Sequence, residues 1–139
     1  LAARLAERGY RVRTGPTMTG EARDFPLPFP EPGEAIVGGG ECTVTLRGDG
    51  RGGRAQELAL ARSIDLAGTD AVLLVGSTDG ADGPTDVAAA IVDGRPLPGV
   101  AEALARSDSH AVLAAAGTLV RTGPTGTNLN DVYAIARPR

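Results

Sequence analysis

Two arginines and two glycines at the head of a helical pattern are the residues with the most chemistry to offer in this chain. The stretch GDGRGGRAQE, Gly48 to Glu57, runs directly into LALARSI, which brings Arg51 and Arg54 to a helix N-terminus. That end of a helix already carries partial positive charge and unpaired backbone N–H groups, so cations are unfavourable there unless something negative sits beside them. The cap position falls on Gly52 or Gly53, and neither has a side chain to cover the free N–H groups. The pattern therefore predicts an anion seat. Glycines let a phosphate or carboxylate approach the backbone, and guanidinium forks bind its oxygens in pairs. A Gly-rich turn with Arg54 paired in solvent to Glu57 or Glu41 accounts for the same residues equally well.

Two further loops carry polar chemistry. After the apolar run AVLLV, the segment GSTDGADGPTD places Thr78, Asp79, Asp82 and Asp86 in one glycine-broken loop. After Leu119, GPTGTNLND offers Thr125, Thr127, Asn128 and several backbone N–H groups. Hydroxyls, amides and N–H donors suit a polyoxygenated or phosphorylated ligand, while a carboxylate suits a metal or the proton of an attacking hydroxyl. Ordinary turns use the same residue types. The aspartate spacing does not match a calcium-binding EF-hand loop. Asp79 stands at the mouth of the apolar strand and is expected to be functional, whereas Asp86, beyond Pro84, is expected to be structural.

The elements that must position these loops follow from periodicity. Leu1 to Arg8 reads as a helix closed by Gly9, and Tyr10 to Thr14 as a strand. Gly15 to Glu34 reads as an extended connection, because PLPFPEPG, Pro26 to Gly33, can form neither regular element. Ile36 and Val37 lead into GGGE, and Thr43 to Leu46 alternates as a strand. A helix follows over about 55–65, with Leu58, Ala59, Ala61 and Ile64 as its core-facing stripe. Ala71 to Val75 reads as a buried central strand in a sheet covered on both faces. Periodicity leaves Ala88 to Val92 open between strand and short helix. Val100 to Arg106 and Ser109 to Ala116 are expected to be helical, and Leu119 to Thr122 and Val132 to Ala136 to be strands, with an antiparallel direction open to the last. The expected architecture is an α/β layered domain with a mixed, mostly parallel sheet covered by helices. In such sheets ligands collect beyond the carboxyl ends of the strands.

Composition narrows the function. All fourteen basic residues are Arg, so no P-loop lysine, Schiff base or lysine general base is available within the chain. Either the chemistry is arginine-based or a partner supplies the lysine; a GC-rich coding bias also accounts for much of the absence. A length of 139 residues with 42% hydrophobic content fits one domain with a modest core. Net charge of −3 with scattered arginines argues against nucleic acid as a partner. The apolar runs are too short to span a bilayer and no signal peptide is visible, which points to a cytoplasmic protein with no membrane partner. Cys42, the single cysteine, reads as a half-buried strand residue in a reducing compartment. His110, in a helical stretch, reads as a surface or cap-adjacent residue rather than a catalytic one. RTGPT occurs at Arg13 to Thr17 and again at Arg121 to Thr125, but the flanking sequences differ and duplication is not supported. The chain opens on Leu1 without a Met, which is consistent with a piece of a longer protein.

Taken in order, GGGECTVTLRGDGRGGRAQELAL, VGSTDGADGPTDVAAAIVDG and ARSDSHAVLAAAG followed by LVRTGPTGTNLNDV resemble the MOFRL domain. That is the carboxyl-terminal domain of the glycerate 2-kinase family, whose members are often labelled hydroxypyruvate reductase. The resemblance spans about residues 36–136, which divides the chain into a lead-in αβ unit with its Pro-rich connection, 1–35, and a MOFRL-like domain, 36–139, the two forming one structural unit. The preceding LAARLAERGYRV and GEAR also resemble the segment leading into this domain, although such proteins continue from GEAR with a helix where this chain has PLPFPEPG.

The resemblance implies phosphoryl transfer from ATP, with Mg²⁺, to the 2-hydroxyl of D-glycerate, giving 2-phosphoglycerate. The reaction would take place in a cleft shared with a Rossmann-like amino-terminal domain, fused or separate, that brings the essential lysine. The matching positions here are Arg54, for the transferring phosphoryl oxygens, and Asp79, to orient the hydroxyl or hold Mg²⁺, with Asp82 as the rival for that second role. Gly39, Gly40 and Glu41, Arg51, Gly52 and Gly53, Thr78, and Thr125, Gly126, Thr127 and Asn128 would line the same cleft. The isolated chain is then expected to be inactive. A stand-alone module that binds a small anion or metabolite without catalysis is the alternative. The reductase label finds no GxGxxG fingerprint between a strand and a helix.

Overall fold

A computed structural model describes residues 1–139. α1 (Ala2–Glu7) leads into β1 (Arg11–Thr14), and between them Gly9 takes a left-handed φ of 88° that a side chain would strain. β2 (Glu34–Gly40), α2 (Arg54–Leu66), β3 (Val72–Ser77) and β4 (Ala89–Val92) follow. The short helices α3 (Val100–Ala105) and α4 (Ser109–Ala115) then precede β5 (Leu119–Val120) and β6 (Asp131–Ala136). The six strands form one sheet in the order β1-β2-β6-β3-β4-β5, so the last strand lies near the middle.

The sheet is mixed, but only β1 and β2 run parallel; the other four pairings are antiparallel, which corrects the expectation of a mostly parallel arrangement. Parallel neighbours need a long crossover, usually helical, and the loop 78–88 between β3 and β4 contains no helix, so these strands fold back on each other. Ala89–Val92 is a strand because it pairs with β3 on one side and β5 on the other.

Coverage is also one-sided. Leu73 and Val75 are fully buried on the face against which α2 packs, while Val72 and Ile91 on the opposite face lie at the surface. Burying each of those core side chains contributes about 2 kcal/mol and fixes which face of β3 turns inward. The AVLLV run therefore alternates and is not covered on both sides. On α2, Leu58, Ala59 and Ala61 are buried as expected, but Ile64 is exposed and the last turn is anchored by Ser63 and Leu66.

Thr43 to Leu46 does not form a strand. The extended strand occupies Glu34–Gly40 instead, and beyond it the chain keeps only isolated bridges, Met18 with Gly40 and Glu21 with Thr43. Gly40 has φ 145°, and a Cβ there would lie 2.3 Å from the Met18 carbonyl oxygen, so the ladder breaks at this glycine. Cys42 is consequently buried outside any strand, its thiol pushed up in pKa by burial.

Tyr133 of β6 sits at the centre of the core. Its ring fills the space left by Gly15 and Gly38, meets Phe25 edge-on at 5.9 Å, and its hydroxyl donates to the Pro16 carbonyl at 2.9 Å. The lead-in strand β1 thus belongs to the same sheet as the rest, and no helix is long and apolar enough to cross a membrane.

Candidate functional site

Register brings three strand ends together. Gly40 at the end of β2 lies opposite Asp131 at the start of β6, and Asp131 lies opposite Ser77 at the end of β3. The GGGE turn, the loop after β3 and the head of β6 therefore meet at one end of the central strands, with the N-terminus of α2 beside them. A cleft of about 580 Å³ opens here, and Gly52, Gly53, Arg54, Asp79, Gly83 and Pro84 are among its lining residues.

The N-terminus of α2 is not an empty anion seat. Asp82 reaches across from the loop after β3 and accepts the backbone N–H groups of Ala55 at 3.0 Å and Gln56 at 2.9 Å. The Gln56 side-chain amide donates to Asp82 Oδ2 at 3.0 Å and to Thr85 Oγ1 at 3.1 Å. Asp82 is 2% exposed, and both its oxygens are engaged. The negative charge that the helix dipole and the two arginines call for is thus supplied by the protein itself. Sequence reasoning missed this cap because it lies about twenty-seven positions downstream, outside any local capping pattern.

The glycines make that closure possible while still lining the cleft. A Cβ on Gly53 would lie 2.4 Å from the Asp82 carboxyl carbon, one on Gly52 would lie 2.1 Å from Ser109 Oγ, and one on Gly83 would meet the Gly52 carbonyl at 2.3 Å. The same loop is tied to the junction of α3 and α4. Gly50 N–H donates to the Arg106 carbonyl, Arg51 N–H to Asp108 Oδ1, and His110 N–H to the Arg51 carbonyl. His110 is half-buried with Nδ1 2.9 Å from Gln56 Oε1. Because the Gln56 amide nitrogen is committed to acceptors, its oxygen faces His110, which makes Nδ1 the protonated nitrogen. The side chain of Arg51 points at the Pro84 carbonyl, 3.3 Å from Nη2, on the rim of the cleft.

Arg54 has two carboxylate partners. Nε and Nη2 lie 3.1 and 3.2 Å from the two oxygens of Asp131, and Nη1 donates to Glu41. Of the two partners proposed from sequence, Glu41 is the one engaged; Glu57 is buried and pairs with Arg23. Burial raises the pKa of both Glu57 and Asp131, an effect opposed by Arg23 and Arg54 respectively. Asp131, which holds Arg54, and Arg23, which pairs with the cleft-lining Glu57, are residues that sequence reasoning did not single out. Asp131 ends the NLND string and was the one with a legible signal, an acid opening an apolar strand.

Asp79 differs from Asp82 in what it leaves free. Its Oδ1 accepts Ala81 N–H and Ser77 Oγ–H, each at 2.9 Å, while Oδ2 accepts no hydrogen bond. The Ala81 N–H above all, then the Ser77 hydroxyl, hold this carboxyl below its ordinary range. Behind Asp79, Thr78 Oγ1 donates to the Asn130 carbonyl and accepts Leu129 N–H. Thr125 N–H donates to the Asp79 carbonyl, and Asn128 Oδ1 accepts Asn130 N–H. The loop with Thr125, Gly126, Thr127 and Asn128 thus braces the back of Asp79 and is not part of the cleft lining. Gly39, Gly40 and Glu41 are not among the residues that line the cleft, and Glu41 meets it through its contact with Arg54 Nη1. Asp86 forms an exposed pair with Arg121. No three His, Cys, Asp or Glu side chains gather in a way that could hold a metal ion by themselves.

Comparison with known proteins gives a consistent picture. The model of the MOFRL family matches residues 34–131. A D-glycerate 2-kinase of Thermotoga maritima is 46% identical over 118 residues, covering 79% of this chain and 28% of its own length. An Agrobacterium vitis relative named as a hydroxypyruvate reductase is 40% identical over 135 residues, covering 90% of this chain and 30% of its own. The crystal structure of glycerate kinase from Thermotoga maritima superposes with a TM-score of 0.83 at 35% identity, covering 98% of this chain and 38% of that one. The chain thus spans roughly a third of the length of the proteins it matches.

Proposed function

The chain belongs to the MOFRL family, and on that premise we propose that it is the carboxyl-terminal part of an ATP-dependent glycerate 2-kinase. It would supply contacts to the reacting groups in a cleft completed by a lysine-bearing domain. The observation that carries this reading is the lining of one cleft by Arg54 and Asp79, an arginine and a carboxylate with a free oxygen, in a chain without lysine.

Phosphoryl transfer rests on positioning and charge stabilisation more than on covalent chemistry supplied by the protein. The 2-hydroxyl oxygen of D-glycerate would bond to the γ-phosphorus of ATP as the bond to the bridging oxygen of ADP breaks, with ADP leaving and the hydroxyl proton passing to solvent water. Arg54, held by Asp131, presents N–H donors to the equatorial oxygens, where charge accumulates. Asp79 remains ionised because its pKa is lowered, so it suits the orientation of the attacking hydroxyl through Oδ2 better than the storage of a proton. The same free oxygen fits Mg²⁺, which typically takes one or two protein carboxylates together with nucleotide phosphates and neutralises their charge when bound. Asp82 has no oxygen free for that task.

A coupled ADP-release assay tests the reading. The chain joined to its lysine-bearing domain should turn over D-glycerate, and Arg54→Ala should lower kcat by about a thousandfold, or about 4 kcal/mol. The isolated 139-residue chain should fold without turnover. Glycerate-dependent ADP release by the isolated chain, or activity unchanged by Arg54→Ala, would refute this assignment. Binding of small anions with no turnover in the joined protein would favour a non-catalytic module.

A further inference from the structure

Arg54 is gripped unequally. Asp131, with its side chain 2% exposed, takes Nε and Nη2 as a fork at 3.1 and 3.2 Å. Glu41, with its side chain 53% exposed, takes only Nη1. Asp131 is fixed by its place in the sheet, opposite both Gly40 and Ser77. Glu41 is fixed only at its backbone, where its N–H donates to the Met18 carbonyl at 3.0 Å, so its side chain can leave without any movement of the main chain. Both Arg54 and Asp79 line the cleft, and Glu41 does not.

We infer that Glu41 is a built-in competitor: its carboxylate covers the edge of Arg54 that an incoming phosphate or phosphoryl group uses, and anions bind by replacing it while Asp131 holds the guanidinium in place. The inference rests on the reading of Arg54 as the phosphoryl contact. An exposed carboxylate on one nitrogen is weakly bound and easily exchanged, whereas removing one partner of a buried, two-point pair leaves the other charge uncompensated. Asp131 is then a positioning residue, acting through Arg54.

The test titrates inorganic phosphate into the ¹⁵N-labelled chain and follows the Arg54 Nε–H signal with the amides of Gly53, Arg54 and Asp79. Glu41→Gln should bind phosphate about 3- to 5-fold more tightly than the wild type, the size expected for losing an exposed ionic competitor. Asp131→Asn in the Glu41→Gln background should weaken binding by about tenfold or more and broaden the Arg54 Nε–H signal through faster solvent exchange. Should the double variant fail to fold, the Glu41→Gln arm decides alone. Unchanged or weaker phosphate binding in Glu41→Gln, or no response at Arg54 in either protein at high millimolar phosphate, overturns the inference. If the joined protein still turns over glycerate in that event, the kinase reading stands and only the exchange fails. Tighter binding without turnover leaves the exchange and removes the kinase.

Discussion

Asp79 and Asp82 lie three residues apart on one loop and end in opposite states. Asp82 is buried, with both oxygens taken by the backbone of α2 and the amide of Gln56. Asp79 uses one oxygen to shape its own turn and leaves the other without a partner at the cleft. A loop rich in Asp, Thr and Gly is therefore divided between a carboxylate that organises the protein and one available to something outside it. Residue type does not separate the two; the number of donors already committed to each oxygen does.

The largest effect that would break this comparison is expected at Asp82. Asp82→Ala strips partners from two backbone N–H groups and a buried amide, and should lower unfolding free energy by about 3 kcal/mol or more in urea titration. Asp82→Asn, which keeps an acceptor oxygen, should lose about half as much. A loss under about 1 kcal/mol in Asp82→Ala would mean that the helix start is held by something else. Next in size, Asp79→Asn in the joined protein should reduce turnover about a hundredfold while its melting temperature stays near that of the wild type. Normal turnover in the folded variant would remove Asp79 from the chemistry and leave its turn as its whole role.

Acid sharpens the contrast further. Because the pKa of Asp79 is lowered on folding, first by the Ala81 N–H, the folded state holds this proton less readily than the unfolded chain does. The stability contributed by its ionised form is therefore complete above the ordinary Asp value of about 3.9 and is lost as pH falls through the lower folded value. The stability gap between wild type and Asp79→Asn, measured by denaturant at pH 6 and at pH 3, should narrow at the lower pH. A gap that widens on acidification would contradict the hydrogen-bonding seen at Oδ1. The smallest effect is expected at Asp86, paired with Arg121 in solvent. Asp86→Asn should shift the melting temperature by no more than about 2 °C and leave turnover within about twofold.

Much of this arrangement was legible in the residues, and what escaped has a common cause. Helix α2, the apolar β3 and the loops at the strand ends follow from local patterns, and three motifs in sequence order point to the family. The turn at Gly9 and the irregular PLPFPEPG segment also read correctly, since each depends on one residue type. The strand expected at Thr43 did not form because Gly40 must pass close to Met18, a contact between distant segments. The vacant anion seat at Gly52 and Gly53 was misread for the same reason. Only the fold reveals that Asp82 arrives there, and that Asp131 of the last strand takes hold of Arg54. The antiparallel direction offered for the last strand holds, but the direction of β3 with β4 and of β4 with β5 escaped, because an apolar run looks alike whichever way its neighbour travels.

The position of β6 has a consequence for how the molecule comes to exist. This strand is last among the six in chain order yet lies between β2 and β3, so two half-sheets wait for it with one edge each unsatisfied. Until it docks, β1 with β2 and β3 with β4 have no hydrogen bonds to one another across the gap, and each presents a sticky edge to other chains. Closing that gap requires contacts between residues about a hundred positions apart, the kind that makes folding slow. The same docking event delivers Asp131 to Arg54 and seats Tyr133 in the core. Nascent chains released from folding too early would therefore lack both a closed sheet and an oriented arginine, so loss of binding and proneness to aggregation should arise together, from a single kinetic step.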